Sequence, residues 1–66
     1  MTLDLSDLED WTDSEVMEAL NEIEGGLTHG QVTWIERFND AMDNHGGLSD
    51  RQREVAENIL REWNDR

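Results

Sequence analysis

The sequence predicts a small all-α protein, a three-helix bundle, and three observations support this fold class. Apolar residues recur with the helical period in three stretches, and no stretch shows the sustained period of two typical of a strand. A Ser or Thr stands three positions before a Glu or Gln at the start of each stretch, which is the capping box that opens a helix. Proline is absent from the 66 residues. We expect helices over about 13–24, 29–44 and 50–64.

The first helix is predicted to open at Thr12, with Glu15 completing its capping box. Trp11 and Val16 flank the cap at the spacing of a hydrophobic staple. Its buried face comprises Val16, Leu20 and Ile23, with Met17 at the edge. This periodicity is that of a helix with one side on a core.

Two nearly identical heptapeptides precede the other helices, "GGLTHGQ" at 25–31 and "GGLSDRQ" at 46–52. In each, two glycines can end the preceding helix in the left-handed conformation, and a capping box follows at Thr28 or Ser49. Leu27 can staple to Val32, whereas Arg53 fills that position in the second copy, so Leu48 must pack elsewhere. We interpret the echo as convergence on good caps, because two units are too few for a repeat architecture.

The second and third helices carry wider apolar faces. They consist of Trp34, Ile35, Phe38, Ala41 and Met42, and of Val55, Ala56, Ile59, Leu60 and Trp63. On the third helix, opposite charges four residues apart predict an ordinary exterior of ion pairs, namely Arg53/Glu57, Glu57/Arg61 and Glu62/Arg66. Residues 13–66 are therefore expected to form the three-helix domain. Residues 1–12 are an acidic lead-in, in which Ser6 and Glu9 could form a fourth capping box and open a short helical turn.

The charge is strongly and unevenly negative. Seventeen acidic residues face five arginines and no lysine, for a net charge of −12. Direct binding to nucleic acid or to an anionic membrane is disfavoured, because both require clustered basic residues. A basic partner protein is the natural complement. Residues 1–24 hold nine of the acids and no base, so the asymmetry lies at the N-terminal end.

The best candidate interaction site is the acidic face of the first helix, where glutamates recur at helical spacing opposite the apolar face. We predict a partner-binding set of Asp10, Asp13, Glu15, Glu18 and Glu22. Like charges at this spacing repel by a few tenths of a kcal/mol per pair. Each glutamate alone is explained by solvation, so only the collective row predicts a docking surface.

No residue set predicts catalysis, a metal site or a cofactor. The serines stand at predicted helix starts, and no glycine-rich phosphate loop with a following lysine is present. His29 and His45 would lie roughly 24 Å apart along one helix, too far to share a metal. We therefore expect a non-enzymatic protein.

Three tryptophans are many for this length, and tryptophans are favoured interface anchors. Small domains often supplement a thin core by association. Trp11, Trp34 and Met42 are therefore candidates for self-association, and a homodimer is one form that it could take.

The stretches "GGLTHGQVTWIERF" and "GGLSDRQREVAENIL" resemble a short helical module of small bacteriophage proteins, in which Gly-x-Leu-Ser/Thr-x-x-Gln opens an amphipathic helix. The resemblance covers about residues 25–63 and implies a viral or mobile-element origin and an accessory role. It assigns no functional residue. With no signal peptide or membrane span in the sequence, we expect a soluble cytoplasmic protein, in the host cytoplasm if the chain is viral.

Three hypotheses follow. The first is a phage-type inhibitor or accessory factor that mimics nucleic acid and docks on a basic, nucleic-acid-binding surface of a partner, such as a nucleic-acid-handling enzyme. The second is a self-associating structural or regulatory module whose acids serve solubility. The third is an ordinary helical domain adapted to high salt.

The third hypothesis predicts that the helical circular dichroism signal falls at low salt, because unscreened carboxylates repel one another. A signal that stays constant over a salt titration would contradict high-salt adaptation.

Overall fold

A computed structural model describes residues 4–65 and confirms the all-α three-helix fold. Helix α1 spans Asp13–Ile23, α2 spans His29–His45 and α3 spans Asp50–Asn64. Helix α1 packs against both other helices, and α2 also packs against α3. Short 3-10 turns at Leu8–Asp10 and Glu24–Gly26 precede and follow α1.

All three predicted helix caps are present. The side-chain oxygens of Thr12, Thr28 and Ser49 each accept the backbone N–H three residues later, at 3.2 Å. In return, the side chains of Glu15, Gln31 and Gln52 accept the backbone N–H of the capping residue, at 3.0 Å. Each cap is worth about 1 kcal/mol, a large fraction of the stability of a small domain.

The fourth capping box, predicted at Ser6 and Glu9, is wrong. The turn Leu8–Asp10 does form, but Asp7 precedes it and makes no side-chain capping bond. The hydroxyl of Ser6 donates instead to the carboxylate of Asp4, two residues away. A nearby ionised acceptor makes a stronger hydrogen bond than a neutral group does, so Ser6 is drawn away from the turn.

The two Gly-Gly pairs end their helices differently, although their sequences match. Gly46 has φ of 72° and its N–H donates to the carbonyl of Met42 at 3.1 Å, which is the predicted left-handed end. The same prediction is wrong for α1, because neither Gly25 nor Gly26 has a positive φ. A Cβ on Gly26 would lie 3.2 Å from the indole nitrogen of Trp63. Gly26 therefore makes room for α3.

The core holds most of the predicted apolar faces and two residues from outside them, Leu8 and Ala19. The buried hydrophobic residues are Leu8, Val16, Met17, Ala19, Leu20, Ile23, Ile35, Phe38, Ala41, Ala56, Ile59 and Leu60. Leu8 is only 1% exposed, so the lead-in contributes to the same core as the helices. Leu48, as expected, packs against this core, and so do Trp11 and Trp63.

Within residues 4–65, no helix is both long enough and apolar enough to cross a membrane.

We expect Gly46→Ala to lower the free energy of unfolding by about 1–2 kcal/mol, because a residue with a Cβ resists the left-handed conformation. Urea denaturation followed by circular dichroism measures the change. Gly25→Ala is the matched control, since an added Cβ there meets nothing within 4 Å and should change stability by less than about 0.5 kcal/mol. Equal losses in the two variants would contradict this account of the helix ends.

Candidate acidic interaction surface

Three of the predicted contact residues lie together on the exposed side of α1. Glu15, Glu18 and Glu22 are exposed, whereas Val16 and Leu20 on the opposite side are fully buried. The three glutamates line one shallow groove of about 240 Å³ together with Trp11 and Ala19. We call this feature the α1 groove.

The glutamates of the α1 groove have no cationic partner within residues 4–65. The ion pairs of this part of the chain join Arg53 to Asp13 and Glu57, and Arg61 to Glu57. Glu15 accepts the capping N–H of Thr12 through one carboxylate oxygen. The last turn of α1 contains no basic residue, so Glu22 faces the negative end of the helix dipole without compensation.

Asp13 was predicted in the same contact set, but its carboxylate points into the fold. One oxygen lies 2.7 Å from Nη1 of Arg53, and the other accepts the backbone N–H of Leu48 at 2.8 Å. A Cβ on Gly47 would lie 3.1 Å from the second oxygen, so a larger residue there would press against this carboxylate. Asp13 therefore ties α1 to the start of α3 and does not line the α1 groove.

The Leu48 N–H lowers the pKa of Asp13 more than burial raises it, and Arg53 lowers it further. Because the carboxylate is already committed to two partners, it is the least available of the five predicted residues for a partner protein.

Arg53 joins α3 to the lead-in and to α1. Besides Asp13, its guanidinium bonds Glu57 at 2.6 Å and the backbone carbonyls of Leu8 and Trp11 at 2.9 and 2.8 Å. Its side chain is only 19% exposed. Burial acts to lower the pKa of Arg53, but hydrogen bonds to Glu57 and Asp13 outweigh it and raise the pKa.

The predicted pairs of Arg53 and Arg61 with Glu57 are present, at 2.6 and 3.5 Å. The prediction that they form an ordinary exterior is wrong for Arg53, which is mostly buried between elements. The pair of Glu62 with Arg66 lies outside the described residues. The signal for Arg53 was its place at the staple position after Leu48, where an apolar residue is usual.

Asp10 is exposed at the end of the 3-10 turn and does not line the α1 groove.

The residues predicted for self-association lie in different surroundings. Trp34 stacks on Phe38 with 5.8 Å between ring centroids, and the guanidinium of Arg37 lies 5.6 Å from the Trp34 ring. Trp34 lines a different groove, whereas Met42 is half-buried against the core.

No group of three or more potential metal ligands occurs within the part of the chain that the structure describes. His29 and His45 are the first and last residues of α2, so the helix holds them apart.

No protein-family model, characterised protein or solved structure matches this chain. The fold defines it as a small all-α three-helix protein, and the resemblance to phage helical modules stays a prediction.

We expect Asp13→Asn to lower the free energy of unfolding by about 1–2 kcal/mol at neutral pH, because Arg53 loses a charged acceptor. The folded pKa of Asp13 is depressed, so its contribution to stability is present above the unfolded pKa of about 4 and disappears as pH falls through the folded value. The difference between wild type and variant should therefore be constant from neutral pH to about pH 5 and shrink below about pH 4. Urea denaturation at a series of pH values measures it.

Asp40→Asn is the control, because Asp40 is an exposed carboxylate on α2 that takes part in none of the ion pairs of the described residues. It makes the same chemical change and reports the relief of general repulsion alone. A difference for Asp13→Asn that persists undiminished in acid would show that its carboxylate is not stabilised by these partners.

Proposed function

We propose that this chain is a non-enzymatic interaction protein that docks through the α1 groove on a basic surface of a partner protein. The observation that carries the proposal is that Glu15, Glu18 and Glu22 line one groove and that none of them is in an ion pair within the described part of the chain. The partner surface of choice is one that binds nucleic acid, because such a surface already attracts closely spaced negative charge. The chain would then act as a phage-type inhibitor or accessory factor.

The distribution of arginines supports the proposal. On α3, Glu57 lies between Arg53 and Arg61 and bonds both. Within residues 4–65 the glutamates of α1 have no such partners, although arginines at neighbouring positions would relieve their repulsion. A local cost that the fold does not require is typical of a surface used for binding.

The overall charge supports the same kind of partner. A net charge of −12 disfavours contact with nucleic acid and accelerates encounter with a basic protein through long-range attraction. The electric field of the whole chain attracts the partner before contact. The carboxylates of the α1 groove then face the basic groups of the partner at the contact itself.

The test begins with capture of partners on the immobilised chain at low salt, followed by a salt step. Each captured protein is purified, and the chain is titrated into its complex with fluorescent nucleic acid. We expect the chain to displace the nucleic acid at low salt. Because nucleic-acid binding itself weakens steeply with salt, the salt dependence is measured on direct binding of the chain to the captured protein. That binding should fall sharply between about 0.01 M salt, where the Debye length is roughly 30 Å, and about 0.15 M salt, where it is about 8 Å.

The decisive variant replaces Glu15, Glu18 and Glu22 with glutamine, which keeps the α1 cap because glutamine also completes a capping box. Its match is Glu36→Gln, Asp40→Asn and Asp43→Asn, which removes three exposed charges from α2. We expect displacement to be lost in the first variant and kept in the second. Equal displacement by both variants, or direct binding to the partner that is indifferent to salt, would refute the proposal.

Self-association is the alternative, and the half-buried ring of Trp34 beside its own groove favours it. It predicts dimers that dissociate when Trp34 is replaced and that persist when the α1 glutamates are neutralised. Sedimentation over a concentration series distinguishes the two functions, because a protein that stays monomeric excludes the alternative.

A further inference from the structure

The α1 groove combines an apolar floor with a rim of carboxylates. Trp11 and Ala19 supply the apolar surface, and Glu15, Glu18 and Glu22 supply the rim. Its volume of about 240 Å³ is below the roughly 300–1,000 Å³ of sites for drug-sized molecules. The groove therefore suits a single side chain better than a cofactor.

The spacing of the carboxylates indicates how they contact a basic surface. Glu15 and Glu22 are seven positions apart, roughly 10 Å along a helix. Three charges over this distance are sparser than the phosphates of a nucleic acid strand, which recur about every 3.4 Å. The row therefore meets the cationic side chains of the partner's basic surface one at a time.

Elsewhere in the chain, guanidinium groups already contact an indole ring and carboxylates, the two kinds of group that line the α1 groove. Arg37 lies over the ring of Trp34 at 5.6 Å, within the usual range for a cation–π contact. Arg53 bonds the carboxylates of Asp13 and Glu57 at 2.7 and 2.6 Å. The α1 groove offers an indole and carboxylates together, and no arginine within residues 4–65 pairs with those carboxylates.

We infer that the α1 groove takes one arginine side chain of a basic segment of the partner, with its guanidinium stacked on Trp11 and bonded to Glu18 and Glu22. Its methylene stem covers Ala19. This inference rests on the proposed function and names the group that the partner presents. Arginine fits better than lysine, because a planar guanidinium both stacks on an aromatic ring and donates along a fork.

Trp11 is fixed in place before the partner binds. Its carbonyl accepts from Nη2 of Arg53 at 2.8 Å, and its ring packs against the core. A ring fixed before binding loses little conformational entropy when the partner arrives.

The experiment titrates the ¹⁵N-labelled full chain with two short peptides of equal charge, one of arginine and glycine and one with lysine in place of arginine. We expect the arginine peptide to bind about fivefold more tightly. The indole N–H resonance of Trp11 should shift most, with Trp34 and Trp63 as internal references. Glu18→Gln with Glu22→Gln should weaken the binding of both peptides.

Trp11→Leu should abolish the preference for arginine, whereas Trp34→Leu should leave it unchanged. Trp11→Phe keeps an aromatic ring on the core and should reduce the preference without abolishing it, since tryptophan is the strongest cation–π acceptor. The comparison of the two peptides on the wild-type chain needs no variant, so it decides the inference even if Trp11→Leu does not fold.

Equal affinity for the two peptides, or an unshifted Trp11 resonance, would overturn the inference. So would failure of both peptides to bind a chain that displaces nucleic acid from its partner. In either case the proposed function would stand. If neutralising the glutamates changed neither peptide binding nor displacement, the proposed function would fall as well.

Discussion

The hydrogen bonds of the Arg53 guanidinium are the contacts on which the packing of the lead-in, α1 and α3 depends. This guanidinium bonds the carboxylates of Asp13 and Glu57 and the backbone carbonyls of Leu8 and Trp11. These groups come from α3, from the first turn of α1 and from the lead-in. A chain of this size buries only about 60% of its unfolded surface, so its apolar core alone is thin. One planar side chain with several fixed donors can hold three segments in register where a larger domain would use more core.

The Arg53 contacts separate the carboxylates of the acidic N-terminal third into two kinds. Asp13 is oriented inward by Arg53 and by the backbone N–H of Leu48. Glu18 and Glu22 remain on the surface without an ion pair in the described chain. Part of the negative charge of this region therefore stabilises the fold, and part of it remains exposed on the surface. The proposed docking function concerns only the second kind.

The Arg53 contacts also reach a residue of the proposed site. The same side chain that pairs with Asp13 bonds the carbonyl of Trp11, and the ring of Trp11 borders the α1 groove. Arg53 of α3 thus bonds the backbone of a groove residue without lining the groove itself. Sites built on rigid elements and supported from behind are more precise than sites on free loops.

The sequence by itself determined the helices, because caps and apolar periods act over a few residues, and Thr12, Thr28 and Ser49 each open a helix where predicted. It also placed Glu15, Glu18 and Glu22 on one face, since a helix fixes that spacing. Only the tertiary structure decided the burial of Leu8, the room that Gly26 leaves for Trp63, and the pairing of Asp13 with Arg53. Those outcomes join residues about 40 positions apart, and local pattern carries no information about which distant segments meet.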